Sequence, residues 1–271
     1  MTESVASSLV IDAHVHLGDG LRPGEFLEMM DEAGVHKAIV FVSPSRWSLP
    51  DKDNYFNTND YIAEAQQSRP DRLIGFACVN PHSHRAAAEL ERCINELGLR
   101  GLKLHPEVHC FTLDSLIGGE LMDALAALQR ETGRRLPVLS HRMTTMGCTP
   151  DQFALLARAY PDLSFIIGHG AGFQNLYFPS IRPVKDLANL FADTAMTTVD
   201  DSRIIDVTRA VGAEKVIFGS DHWARGQKNL YGNFFFVLKR AFPNPERQRL
   251  ILGGNIARIL GLQGCTRSHE R

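Results

Sequence analysis

The chain contains few cysteines, and they are scattered along the sequence. Its 271 residues include five cysteines: Cys78, Cys93, Cys110, Cys148 and Cys265. No two of them form a Cys-x-x-Cys pair. An odd and scattered set of this kind argues against a disulfide framework and against a zinc site built from thiolates. We therefore expect reduced thiols and a cytoplasmic protein.

The sequence also lacks long apolar runs and a strong net charge. No apolar stretch approaches the roughly 20 residues that a membrane-spanning helix needs, so we expect no membrane segment. The first ten residues have no basic flank and no apolar core, so we expect no secretory signal. The formal net charge is −2, which favours neither nucleic acid nor an anionic membrane as a partner. The expected partner is a small-molecule substrate.

Motifs that bind nucleotide phosphates are missing as well. No Gly-x-Gly-x-x-Gly follows the first apolar run, and no Gly-x-x-x-x-Gly-Lys-Ser/Thr occurs anywhere, so dinucleotide and P-loop sites lack their motifs. Short apolar runs instead alternate with longer amphipathic ones from end to end. About eight such units predict an α/β protein, a single-domain (β/α)8 TIM barrel. We expect one domain over residues 1–271, with the barrel proper at about 9–262 and short flexible termini.

Polar residues follow the apolar runs at one end. Five runs end in histidine, lysine or aspartate: His14 and His16, Lys103 and His105, His141, His169, and Asp221 with His222. Because a barrel carries its active site at the carboxyl ends of its strands, we expect these side chains to meet. A second pair, His82 and His84, fails this test. It surrounds Ser83, which we predict to be a helix N-cap, so these histidines are expected at a solvated helix start.

The strand-end residues have the donor atoms of a metal site. Residues two apart on a strand point to the same side, so His14 and His16 share a face. Neutral imidazoles and a carboxylate bind zinc-type ions at about 2.0–2.2 Å. We predict one divalent ion, expected to be zinc, on His14, His16, His141 and Asp221. The bound ion would lower the pKa of a water to about 7. His169 would move protons as the general acid and base.

Other residues near the predicted barrel mouth could have one of several roles in substrate or metal binding. Lys103 could pair with an acid, orient a substrate oxygen as a plain amine, or be carboxylated and bridge two metal ions. His105 shares its face and could also orient substrate. Arginine binds carboxylates bidentately, although most loop arginines are merely solvated. The further candidates for substrate binding are Arg46, Arg142, Arg182, His222 and Trp223.

Taken together, these motifs resemble the amidohydrolase superfamily, in the amidohydrolase-related branch that includes aminocarboxymuconate-semialdehyde decarboxylase and related hydrolases. The resemblance rests on "IDAHVHLG", "GLKLHP", "LPVLSH", "FIIGHGAG", "VIFGSDHW" and "ILGGNIARIL", in family order across nearly the whole chain. It implies metal ligands at His14, His16, His141 and Asp221, with His169 as acid and base. It implies one ion, as is usual in this branch. In two-metal members a carboxylated lysine on the strand of Lys103 bridges a second ion. A homodimer is a family-level expectation.

Three functions follow from these observations. The leading expectation is a metal-dependent hydrolase that attacks an amide, lactone or other ester, with Asp221 or His169 moving the proton to the leaving group. The alternative is metal-dependent, non-oxidative decarboxylation of a small unsaturated or aromatic carboxylic acid, which needs the same metal ligands. A further alternative is a catalytically inactive barrel that acts as a binding partner.

Overall fold

The strands of the protein are short, buried and parallel. The computed structural model describes residues 9–18, 20–43, 55–142, 148–171, 178–195, 201–223 and 230–262. The strand segments in these ranges are β1 (Ile11–Leu17), β2 (Lys37–Val42), β3 (Leu73–Gly75), β4 (Ala77–Cys78), β5 (Leu102–Leu104), β6 (Val138–Ser140), β7 (Phe165–Ile167), β8 (Leu190–Asp193) and β9 (Val216–Ile217). Apart from Lys37, every residue of these segments is buried, as expected for strands covered on both faces.

Helices alternate with most of the strands. They are α1 (Pro23–Ala33), α2 (Tyr55–Ser68), α3 (Ala86–Asn95), α4 (Pro106–His109), α5 (Glu120–Thr132), α6 (Pro150–Ala159), α7 (Phe178–Asp186), α8 (Asp201–Val211), α9 (Leu230–Ala241), α10 (Pro245–Arg249) and α11 (Asn255–Ile259). A π-helical turn, Leu250–Gly254, joins the last two. Within the ranges above, no helix combines the length and apolar character that crossing a bilayer requires.

Individual hydrogen bonds join the strands into a ring. Regular pairing gives the order β1-β2-β3 in one sheet and β4 to β9 in sequence in the other. Only Phe76 separates β3 from β4; its N–H donates to Val40 O at 2.9 Å, so the two segments are halves of one barrel strand. Between β9 and β1, Ala13 N donates to Phe218 O at 2.9 Å and His16 N donates to His222 O at 2.8 Å. Eight parallel strands therefore close the predicted (β/α)8 barrel.

The second His-x-His pair lies at the surface, as its sequence context predicts. His82 and His84 are both exposed. The predicted helix start is wrong by two residues, because α3 begins at Ala86 and its N-cap is Arg85 instead of Ser83. Ser83 Oγ accepts a hydrogen bond from Arg85 N at 3.2 Å, so Ser83 stabilises the turn before the helix instead of capping the helix itself.

A bulge in β1 shapes the part of the barrel that carries the first His-x-His pair. The register between β1 and β2 shifts between Asp12 and Val15, so β1 contains one extra residue there. Such bulges interrupt the side-chain alternation of a strand and redirect side chains. The shift separates the environment of Asp12 from that of His14 and His16, although all three are buried.

Candidate active site

Three predicted ligands converge at the carboxyl ends of β1 and β9. His14 and His16 are buried on β1, and Asp221 follows β9. Asp221 Oδ1 lies 3.4 Å from His14 Nε2 and 3.2 Å from His16 Nε2. Each of the three residues offers a donor atom within 4.8 Å of the other two. His141, the fourth predicted ligand, is not part of this closest set.

The donor chemistry of this set fits a divalent cation. His14 Nδ1 lies 2.7 Å from Asp193 Oδ2, and His16 Nδ1 lies 3.3 Å from Val42 O. If each Nδ1 carries the proton in these contacts, both Nε2 lone pairs face the Asp221 carboxylate. No proton then lies between Asp221 and either imidazole, an arrangement that a cation satisfies. Their spacing agrees with the roughly 3.4 Å between two ligands of a tetrahedral ion with bonds of about 2.1 Å.

Burial keeps the histidines of the centre neutral. It lowers the pKa of His14 and of His16, and it lowers the pKa of His169 to about 4. Neutral imidazole is the form of histidine that binds metal ions. The desolvation that lowers these pKa values therefore prepares the two β1 histidines as ligands at neutral pH.

His141 follows β6 and His169 follows β7, and the two form a second histidine pair beside His14 and His16. His169 Nε2 lies 2.9 Å from His141 Nδ1, and the His169 ring centroid is 5.0 Å from that of His14. His105 stacks on His141 with ring centroids 3.9 Å apart. Glu107 Oε2 lies 3.8 Å from His141 Nε2 and is partly exposed. The chain of groups from His169 through His141 to Glu107 therefore leads from the buried centre towards solvent.

Lys103 points into the same centre. It is 1 % exposed, and its Nζ lies 3.2 Å from His14 Nε2 and 4.4 Å from the centroid of the Phe41 ring. Burial lowers the pKa of Lys103 to about 8, while the charges of Asp193 and Asp221 act in the opposite direction. Among the described residues, His14 Nε2 is the one hydrogen-bond partner of this amine. The simple pairing of Lys103 with an acid is therefore not what the structure shows.

Asp193, the last residue of β8, belongs to the site although the sequence motifs did not indicate it. Its Oδ2 contacts His14 Nδ1, and its Oδ1 accepts hydrogen bonds from His169 N at 2.6 Å and Ala195 N at 3.1 Å. Burial raises the pKa of Asp193 to about 7, while the charge of Lys103 and these two N–H groups oppose the rise. The sequence "LFAD" does carry a signal, because it is an apolar run that ends in a charged residue, as the other strand-end motifs do. The run is short and only weakly predicts a strand, so Asp193 was not among the predicted site residues.

Asp12 is a second carboxylate with a larger part in the fold than the sequence indicates. It accepts hydrogen bonds from His14 N at 3.1 Å and Ser220 N at 2.9 Å, and further ones from Ser220 Oγ and Tyr231 OH. These bonds connect β1 to the chain after β9 and to α9. Asp12 contacts no imidazole ring through these bonds, so it holds the backbone of the joint between β9 and β1.

The remaining predicted substrate-binding residues lie outside the histidine centre or outside the described residues. Arg182 is 80 % exposed on α7 and pairs with Asp186 at 3.5 Å. His222 is fully buried, with its ring near those of Tyr231 and Phe26 and its Nδ1 2.7 Å from Ser220 Oγ. Trp223 is 51 % exposed beside it.

Arg142 follows the ligand candidate His141 but has a separate environment. It is buried, and its Nε has no hydrogen-bond partner among the described residues. Burial lowers the pKa of Arg142 to about 10. The positive charge of Arg203 lowers this pKa further. Arg46 lies outside the described residues.

The sequence matches a known protein family, and solved structures with a similar fold are known. Residues 11–262 match the profile of the family described as amidohydrolase. A γ-resorcylate decarboxylase of Rhodococcus jostii is 33 % identical over 94 residues, which cover 32 % of this chain. The matched stretch spans only 29 % of the length of that relative.

Solved structures of decarboxylases share the fold. A 5-carboxyvanillate decarboxylase of Sphingomonas paucimobilis has a TM-score of 0.69 at 16 % identity and covers 94 % of this chain and 99 % of its own. A dihydroxybenzoic acid decarboxylase of a Polaromonas species, with bound manganese and the inhibitor 2-nitroresorcinol, has a TM-score of 0.70 at 17 % identity. The match covers 97 % of this chain and all of that one.

These findings correct the leading functional expectation. The relative and both neighbours are decarboxylases by name, so the prediction of amide or ester hydrolysis is wrong, and the decarboxylase alternative is the better supported. The two reactions were indistinguishable from the sequence because both need the same metal ligands. The expectation of a divalent metal is supported, but zinc specifically is not, since the ion named with the Polaromonas neighbour is manganese.

Proposed function

Because the chain belongs to the amidohydrolase family, we propose that it is a metal-dependent, non-oxidative decarboxylase of a small aromatic carboxylic acid. The observation that carries this proposal is the convergence of His14, His16 and Asp221 beside the buried amine of Lys103. The decarboxylase activities for which the relative and the neighbours are named support decarboxylation as the reaction. Their substrates, all aromatic acids by name, support the substrate class.

The proposed metal centre uses His14, His16 and Asp221, with His141 as a further ligand. A divalent ion bound there would supply positive charge that holds an anionic substrate and polarises its oxygens. Zinc and manganese are the two candidate ions, because imidazole and carboxylate ligands accept both and occupancy depends on availability. One ion per chain is expected.

Lys103 provides the cation that such a substrate needs inside the barrel. A buried ammonium next to the ligand nitrogen of His14 can bind a carboxylate or phenolate oxygen of the substrate. Arg182 does not replace it, because Arg182 is at the surface and pairs with Asp186. We therefore assign substrate binding to Lys103. His105, which stacks on His141, is the second residue that we propose to contact the substrate.

The reaction needs one proton at the ring carbon. When the bond between the ring and the carboxyl carbon breaks, its electron pair stays on the ring carbon and takes the proton, and CO2 leaves. We propose His169 and Asp221 as the groups that deliver that proton. Since His169 Nε2 contacts His141 Nδ1 at 2.9 Å, His141 Nε2 is the nitrogen that would be left to bind the ion.

The test is release of CO2 by protein of known metal content. Chelated protein is reloaded with manganese or zinc and given carboxyl-labelled 2,6-dihydroxybenzoate (γ-resorcylate) and 5-carboxyvanillate. We expect labelled CO2 from at least one acid, loss of release after chelation, and loss in His16→Ala. The control is His84→Ala, which removes an exposed histidine of the other His-x-His pair and should release CO2 normally. Protein that binds one ion per chain but releases no CO2 would favour an inactive binding barrel instead.

A further inference from the structure

Asp193 is the one carboxylate among the described residues that contacts both a predicted metal ligand and the predicted acid and base. Its Oδ2 lies 2.7 Å from His14 Nδ1, and its Oδ1 accepts the backbone N–H of His169 at 2.6 Å. Asp193 and His14 are both fully buried. Since β9 lies between β8 and β1, this contact passes over β9 on the inner side of the barrel.

The contact determines which nitrogen of His14 carries its proton. A carboxylate oxygen can only accept, so an ionised Asp193 requires the proton of His14 on Nδ1. The Nε2 lone pair is then directed at Asp221 Oδ1, 3.4 Å away, and at Lys103 Nζ, 3.2 Å away. A metal ion needs that lone pair. Carboxylates behind ligand histidines fix the tautomer and ring orientation in this way in other metal sites.

The same carboxylate stabilises a strained backbone at His169. His169 has φ 61°, in the left-handed region that non-glycine residues seldom adopt. Its N–H and that of Ala195 both donate to Asp193 Oδ1. Because one side chain makes both sets of contacts, Asp193 fixes the position of the His14 ring relative to the backbone of His169.

We propose that Asp193 is the positioning residue of the metal centre: it sets the tautomer of His14 for metal binding and fixes the backbone that carries His169. The proposal rests on the metal site of the proposed function, but not on the reaction. Metal affinity and tautomer can be measured without turnover, so failure to release CO2 would leave this inference intact.

The sharpest variant is Asp193→Asn. Its oxygen can still accept from His169 N and Ala195 N, while its NH2 group faces His14 Nδ1 and forces the proton onto Nε2. We expect manganese affinity, measured by electron paramagnetic resonance on chelated protein, to fall about 10- to 100-fold. We expect ¹⁵N NMR of the metal-free variant to show His14 protonated on Nε2.

The matched control is Asp12→Asn. Asp12 is equally buried and also accepts two backbone N–H groups through Oδ1, but its Oδ2 faces hydroxyls, which can accept from an amide. This variant should lower the melting temperature about as much as Asp193→Asn while keeping manganese affinity and the His14 tautomer. Asp193→Asn with affinity within about threefold of the wild type would overturn the proposal. Should that variant not fold, wild-type metal-free protein with His14 protonated on Nε2 would overturn it equally.

Discussion

At the residue scale, the position of Lys103 most affects what the site can bind. A lysine amine with one hydrogen-bond partner, itself a predicted metal ligand, has donors left for a substrate. Burying an ammonium is costly, so such a residue contributes little to stability unless it is paired. Its presence is better explained by ligand binding than by folding.

We therefore expect Lys103→Met to lower kcat/KM for the aromatic acid about 10- to 150-fold, because losing a hydrogen bond to a charged group costs about 1.5–3 kcal/mol. The melting temperature should stay the same or rise, because a desolvated cation is removed. Steady-state kinetics and thermal unfolding measure the two effects. Retention of full kcat/KM would remove Lys103 from the substrate site.

Lys215 is the matched control for this variant. It is also buried, but it lies at the amino end of β9, and its Nζ donates to the carbonyl oxygens of Leu187, Ala188 and Leu190. Lys215→Met removes the donor that these three carbonyl oxygens share. We expect it to lower the melting temperature with little change in kcat/KM, the opposite pattern to Lys103→Met.

At the scale of elements, the amino end of β1 packs tightly against the π-helical turn Leu250–Gly254. A Cβ atom on Gly253 would lie 2.0 Å from Leu9 O, and Phe218 N donates to Ile251 O at 2.9 Å. The turn therefore contacts both strands of the joint that closes the barrel. Only a residue without a side chain fits at position 253, because the obstructing atom belongs to the backbone.

Gly253→Ala is accordingly expected to lower the free energy of unfolding by roughly 1–3 kcal/mol, the usual cost of overpacking. The comparison is Gly24→Ala in the first turn of α1, where no atom lies within 4 Å of the added Cβ. Alanine has the higher helix propensity, so Gly24→Ala should be neutral or slightly stabilising. Urea unfolding measures both, and equal stabilities of the two variants would contradict the packing at Gly253.

At the scale of the whole molecule, the buried histidine centre makes the metal-free protein sensitive to acid. Burial lowers the pKa of His169 to about 4 and that of His105 to about 2, and lowers those of His14, His16 and His141 as well. Below about pH 6.5 the unfolded chain binds protons at these histidines while the folded chain does not. Stability is therefore lost as the pH falls from about 6.5.

We expect the free energy of unfolding of chelated protein to decrease between pH 7 and pH 5 by up to about 1.4 kcal/mol per pH unit for each such histidine. Urea unfolding at several pH values measures the slope. His105→Gln should reduce the slope and His84→Ala should not, because His84 is exposed. A stability that does not change over this pH range would contradict the neutral, buried state of the centre. Added manganese should raise stability by mass action.

The barrel and most of the candidate site could be predicted from the sequence. Apolar runs of strand length, each followed by a helix, predict parallel strands, and parallel strands bring their carboxyl ends to one side. The histidines and the aspartate at those ends were therefore predicted to meet. His14, His16 and Asp221 do so, with His141 one contact further away. These predictions depend only on local periodicity and on the rule that places barrel sites.

Contacts between distant strands were decided by the tertiary structure alone. The pairing of Asp193 with His14 joins residues 179 positions apart, and Asp12 meets Ser220 over 208 positions. Whether a strand-end residue such as His222 faces the centre also depends on the turn that follows the strand, and Arg182 lies on α7, away from any strand end. Hydrophobic periodicity records which face of a strand is buried, but the partner of a polar side chain is set by how the barrel closes.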